Sequence, residues 1–116
     1  MKRDEIWLVD FEPRSGSEVG KVRPAVIVSN DHANEAARLR QRGVVTVVPI
    51  TSNVTRIHDF QVLLPASVTG LDHDSKAVAE HIRALDVRKL VRKVGTLTPE
   101  LRFELEEAIM LHLALN

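Results

Sequence analysis

Hydrophobic and polar positions divide this chain into short runs of period two, followed by one run of helical period. Ile6-Trp7-Leu8-Val9-Asp10-Phe11 reads as a first strand. Trp7, Val9 and Phe11 fall on one face and Ile6 and Leu8 on the other, so both faces should be partly covered. Trp7 reads as a core residue rather than a platform for stacking bases. Pro13 closes the strand, and a loop follows from Arg14 to Lys21. Ala25 to Ser29 reads as a second strand. Asn30 or Asp31 can cap an alanine-rich helix through about Arg40, which Gly43 stops. Val44-Val45-Thr46-Val47-Val48 carries the strongest strand signal, that of a central strand whose regular ladder Pro49 ends. Phe60 to Leu64 alternates as a fourth strand closed by Pro65, and Val68 to Ser75 is a turn region around Gly70. Lys76 to Leu85 is placed as a strand, Val87 to Val91 as a helical turn and Val94 to Leu97 as a short strand.

The last element has the plainest signature. Thr98 is an N-cap, Pro99 occupies N1 and Glu100 lies in the first turn. Leu101, Leu105, Ala108, Ile109 and His112 then recur at helical spacing, which makes His112 a core or interface residue. Several short strands and one terminal amphipathic helix predict a mainly β (α+β) fold, a small barrel with a helix packed on it. A length of 116 residues suits one domain over 1–116, with no repeat or linker.

Composition narrows the function. The chain is 44% apolar and 28% charged, as in ordinary soluble proteins. It has no cysteine, which removes disulfides and thiolate chemistry and fits a reducing cytoplasm. The opening residues lack an apolar core of signal-peptide length, and the stretch from Val44 to Ile50 is too short to span a bilayer. Basic and acidic residues balance at 16 each, so any polyanion site must be local. The five histidines form no His-x-x-x-His pair, and Asp72-His73-Asp74 reads as a turn before it reads as a hard-ion cluster. No metal or other cofactor is expected. Gly-x-Ser-x-Gly and the phosphate-cradling Walker loop are both absent from the sequence.

A guanidinium and hydroxyl set remains. Arg23 enters the second strand, held extended by Pro24, and Thr51 leaves the third. In an antiparallel meander these ends can reach the same side of the sheet. The guanidinium offers forked donors to a phosphate whose charge grows in a transition state, and the threonine hydroxyl adds another. Glu18, in the preceding loop, could orient the pair or accept a proton. These groups suit phosphodiester cleavage by the RNA's own 2′-hydroxyl. They equally suit a surface salt bridge and a strand-end threonine bonded to backbone. Phe60 can serve either as a stacking platform or as core.

Four blocks in order resemble the MazF/PemK family of toxins. They are Trp7-Leu8-Val9-Asp10-Phe11 with Pro13, Gly16-Ser17-Glu18 and Val22-Arg23-Pro24-Ala25-Val26-Ile27-Val28-Ser29; then Val47-Val48-Pro49-Ile50-Thr51-Ser52; then Glu80-His81-Ile82-Arg83-Ala84-Leu85-Asp86; and finally Val94-Gly95-Thr96-Leu97 with the terminal helix. The resemblance implies an SH3-like barrel acting as a homodimer. It implies a cytoplasmic, sequence-specific and metal-independent endoribonuclease toxin that cuts single-stranded RNA, leaving 2′,3′-cyclic phosphate and 5′-hydroxyl ends. It implies a MazE-like antitoxin as partner. Arg23 and Thr51 match the family's catalytic positions, Ser17, Glu18 and Ser52 flanking substrate contacts, and Glu80 and His81 the base-reading positions. His81 departs from the usual glutamine. A gyrase poison of the CcdB type shares the barrel and is the alternative.

Overall fold

The structure, a computed structural model, describes residues 1–11 and 22–115. Strands β1 (Glu5–Asp10), β2 (Val22–Ile27) and β3 (Val44–Thr51) form an antiparallel meander, with helix α1 (Asp31–Arg40) between the last two. Then come β4 (Gln61–Leu64), a helical turn α2 (Ala66–Thr69), β5 (Ser75–Val78), β6 (Arg83–Asp86), β7 (Leu90–Thr96) and helix α3 (Pro99–Leu113). The strands pair in the order β4-β5-β3-β2-β1-β7, with β6 also on β3. The fold is thus mixed α+β, a seven-stranded antiparallel sheet with a C-terminal helix. Its pairings leave the sheet open between β4 and β7 among the described residues, where the sequence suggests a closed barrel.

The alternation in β1 splits the core as expected. Ile6 packs with Val26, Val48, Ile50, Val62 and Leu64 under Leu101, Leu105 and Ala108 of α3. Val9 packs on the other side with Ala25, Ile27, Val45, Val47 and Leu85, covered by Trp7 and Phe11. Burying a side chain such as Leu105 stabilises the fold by about 1.5–3 kcal/mol. The indole N–H of Trp7 donates to Glu5 Oε1 at 2.9 Å, consistent with a core role. Phe60 also packs on the core, edge-on to His112 at 5.1 Å between ring centroids.

Several expected boundaries move. Asn30 caps α1, its Oδ1 accepting from the Ala33 N–H, but the helix closes at Gln41 in the left-handed region before Gly43 is reached. Pro49 is the last residue of β3 paired to β2; beyond it β3 continues by pairing β5 at Ile50 and Thr51. The residues placed as one strand from Lys76 to Leu85 form two. A 3-10 turn at Ala79–His81 separates β5 from β6, because Ala77 pairs with Ile50 while Arg83 pairs with Val47. The surplus residues loop out, held by the Ala79 N–H on the Phe60 carbonyl at 2.9 Å. The region read as a turn from Val68 begins inside α2, which closes at Gly70 with φ of 82°. The final strand begins at Leu90, earlier than expected. Thr98 caps α3 and Pro99 opens it, as the sequence indicates.

The open side of the sheet is nevertheless tightly filled. A Cβ at Gly95 in β7 would collide with the Thr69 carbonyl oxygen, and one at Gly70 would lie 2.6 Å from the Val94 oxygen. Only glycine permits this approach of α2 to β7. It fixes the chain that leads from α2 into β5.

Candidate active site

Pro24 pairs with Leu8 and Arg23 with Val9, so the extended backbone expected at Arg23 is part of the β1–β2 ladder. The β2–β3 register ends at Ala25 opposite Pro49; carried two residues on, it sets Arg23 across from Thr51. Strand ends diverge here, because β3 leaves β2 for β5. The divergence opens a cleft of about 190 Å³ lined by Leu8, Arg23, Pro24, Ile50, Ser52, Leu71, Asp72, His73 and Ser75. Such a volume is below the roughly 300–1,000 Å³ of drug-sized sites and suits a phosphodiester with part of a sugar.

Arg23 is exposed, and no carboxylate among the described residues pairs with it. Leu8, Ile50 and Leu71 supply an apolar floor, on which a charged hydrogen bond is less screened than in open water. Thr51 is half-buried beside this cleft, between two of its lining residues, and its Oγ1 accepts from the Asn53 N–H at 3.3 Å. The hydroxyl hydrogen of Thr51 is thereby left for an acceptor. The following segment is tied down as well. The buried Lys76, opposite Thr51 in the sheet, donates its Nζ to the Arg56 carbonyl at 2.6 Å.

The structure therefore brings Arg23 and Ser52 into one cleft and sets Thr51 at its margin. Glu80 and His81 stand elsewhere, on the 3-10 turn beyond the far end of β5, past about 10 Å of strand from Ser75. Glu80 Oε2 accepts from Gln61 Nε2 at 2.7 Å, and its Oε1 is buried with no partner among the described residues. His81 is exposed. Ser17 and Glu18 lie outside the described residues. Asp72 and His73 join the cleft, although the sequence presents them as part of a turn. Asp74 shows why: its Oδ1 accepts from the Ala66 N–H at 2.8 Å and folds the turn back toward β2. Among the described residues no three His, Asp or Glu side chains gather as metal ligands.

A second hollow, about 320 Å³ against α3, is larger but is lined by Asp59, Glu104 and Glu107. Those carboxylates would repel a phosphate, so charge rather than size selects the Arg23 cleft.

Fold and cleft together define a small α+β protein with an exposed arginine in a cleft at the fraying end of an antiparallel sheet. Residues 2–113 match the family described as PemK-like, MazF-like toxin of type II toxin–antitoxin system, and the chain belongs to that family. It is 50% identical over 115 residues to Endoribonuclease MazF9 of Mycobacterium tuberculosis, spanning 99% of this chain and 98% of that protein. Among solved structures it resembles the Mycobacterium tuberculosis toxin MazF-mt6, with a TM-score of 0.76, 25% identity and coverage of 97% of this chain and 98% of that one. It also shares its fold with MazE–MazF Form-II of Deinococcus radiodurans, with a TM-score of 0.81, 24% identity and coverage of 100% and 97%. No helix among the described residues is long and apolar enough to cross a membrane.

Proposed function

We propose that this toxin is an endoribonuclease that cuts single-stranded RNA in the Arg23 cleft without a metal ion. The observation that carries the reading is an exposed guanidinium, with no carboxylate partner among the described residues, at the mouth of a phosphate-sized cleft. The half-identical mycobacterial relative bears the name of an endoribonuclease, which favours cleavage over gyrase poisoning.

In this mechanism the 2′-hydroxyl oxygen of the RNA attacks the adjacent phosphorus. The bond to the 5′-oxygen breaks, leaving a 2′,3′-cyclic phosphate and a 5′-hydroxyl. Arg23 donates to the non-bridging oxygens, where negative charge grows, and Thr51 adds its hydroxyl. Ser52 contacts the substrate at the cleft wall; Ser17 and Glu18 would do so from the preceding loop. Glu80 and His81 are base-reading positions, and their distance from Arg23 within one chain supports a groove completed by a second subunit. A homodimer of SH3-like barrels in the cytoplasm, each chain a single domain, accounts for these features. A MazE-like antitoxin would inhibit it by covering the groove.

The test is incubation with a long unstructured RNA in excess chelator. Cuts with cyclic phosphate ends are expected. Replacing the 2′-hydroxyl at a mapped cut site by hydrogen should leave binding intact and abolish cleavage. Cutting of that substrate would overturn the mechanism.

A further inference from the structure

Breaking the bond to the 5′-oxygen creates an alkoxide, and nothing assigned so far can protonate it. Arg23 does not give up a proton at any ordinary pH, and threonine is a poorer acid still. Among the side chains that line the cleft, His73 is the one whose imidazole N–H can pass a proton to a leaving oxygen. We propose that His73 is the general acid that protonates the leaving 5′-oxygen, an inference resting on the cleavage reading above.

The loop carrying His73 is anchored at each end. Gly70 is wedged against Val94, and Asp74 Oδ1 holds the Ala66 N–H. Ser75 Oγ donates to the carbonyl oxygen of His73 itself at 2.9 Å. The backbone of His73 is thus fixed while its imidazole faces the cleft, exposed and without a hydrogen-bond partner among the described residues. A structural histidine would instead be buried or bonded, as His112 is against Phe60.

The charged side chains that line the cleft with His73 are Arg23 from β2 and Asp72 from its own loop; β1 presents Leu8, β3 presents Ile50, and Ser52 follows β3. Arg23 can hold the phosphate while His73 faces the leaving oxygen. In the step, the 2′-hydroxyl proton passes to water as the 2′-oxygen bonds to phosphorus. The phosphorus–5′-oxygen bond breaks, and the imidazolium N–H gives its proton to that oxygen. Water then reprotonates the neutral imidazole, so the reaction consumes no proton.

The decisive comparison uses two RNAs identical except that sulfur replaces the 5′-bridging oxygen at the cut site. A thiolate leaves without protonation. His73→Gln and His73→Ala should cut the oxygen substrate about 10²-fold more slowly than wild type and the sulfur substrate at nearly the wild-type rate. Equal slowing on both substrates, or no slowing on either, would overturn the assignment. A wild type that cuts neither RNA would instead overturn the cleavage reading beneath it.

Discussion

The two ends of the β1–β2 ladder carry charge in opposite ways. At the end near Glu5, Arg3, Lys93 and Arg102 each have a carboxylate partner. Glu5 accepts from the Lys2 N–H and Trp7 Nε1, both at 2.9 Å, and faces Lys93 Nζ at 3.1 Å. Arg102 lies 3.6 Å from both Asp4 and Glu106, and Arg3 lies 3.3 Å from Glu106. At the other end Arg23 lines a cleft with an apolar floor, and no salt bridge joins it to a carboxylate among the described residues, although Asp72 lines the same cleft. The paired end holds α3 and β7 against β1. The open end has an attraction for anions that the paired arginines have already satisfied. Four arginines and lysines, Arg3, Lys93, Arg102 and Arg23, can thus be sorted by partner rather than by position in the sequence.

The largest expected effect is at the open end. Arg23→Ala should lower RNA cleavage about 10²–10³-fold, the scale for removing a donor to transition-state charge. Its thermal unfolding should stay within about 0.5 kcal/mol of wild type, because the side chain is exposed. Thr51→Ala should also slow cleavage while keeping the fold, though less than loss of the guanidinium does.

Next comes the seam where α2 meets β7. Gly95→Ala forces a Cβ into the Thr69 carbonyl and should destabilise the protein by about 1–3 kcal/mol, read by denaturant unfolding. Because Gly70 anchors the loop of His73, the same variant should also slow cleavage at temperatures where it remains folded.

Glu5→Gln probes the paired end and should cost about 1–2 kcal/mol near neutral pH. Burial raises the Glu5 carboxyl, but its bonds to Trp7, the Lys2 backbone and Lys93 outweigh that and hold it below its ordinary value. A carboxyl lowered in the folded state stabilises above its unfolded value of about 4.3 and loses that contribution as pH falls through the lowered one. The gap in melting temperature between wild type and Glu5→Gln should therefore close between pH 6 and pH 3. A gap unchanged at pH 3 would show that the Glu5 charge contributes nothing. Smallest of all, Arg38→Ala should move neither melting nor cleavage, since its pair with Glu35 on α1 is exposed and screened.

Local signals made much of this legible. The caps of α3, the split faces of β1 and the extended backbone before Pro24 each depend on residues within a few positions. Arg23 could be picked out for the same reason, as a cation at the mouth of an apolar strand. What the sequence hid depends on contacts between distant segments. The break at Ala79–His81 follows from how β5 and β6 divide β3 between them. His73 reads as one of three polar residues in a turn until Asp74 is seen to bond Ala66 and Gly70 to press on Val94. The signal present was an imidazole between two carboxylates beside a glycine, and only the tertiary fold sets it opposite Arg23.

The sharpest measurement places the two kinds of arginine side by side. Arg23→Ala and Arg102→Ala would each be assayed for cleavage of one RNA in excess chelator and for thermal unfolding. Arg23→Ala should lose cleavage and keep its melting temperature, whereas Arg102→Ala should cut at the wild-type rate and melt slightly lower. Wild-type cleavage by Arg23→Ala would contradict the assignment of its cleft as the active site.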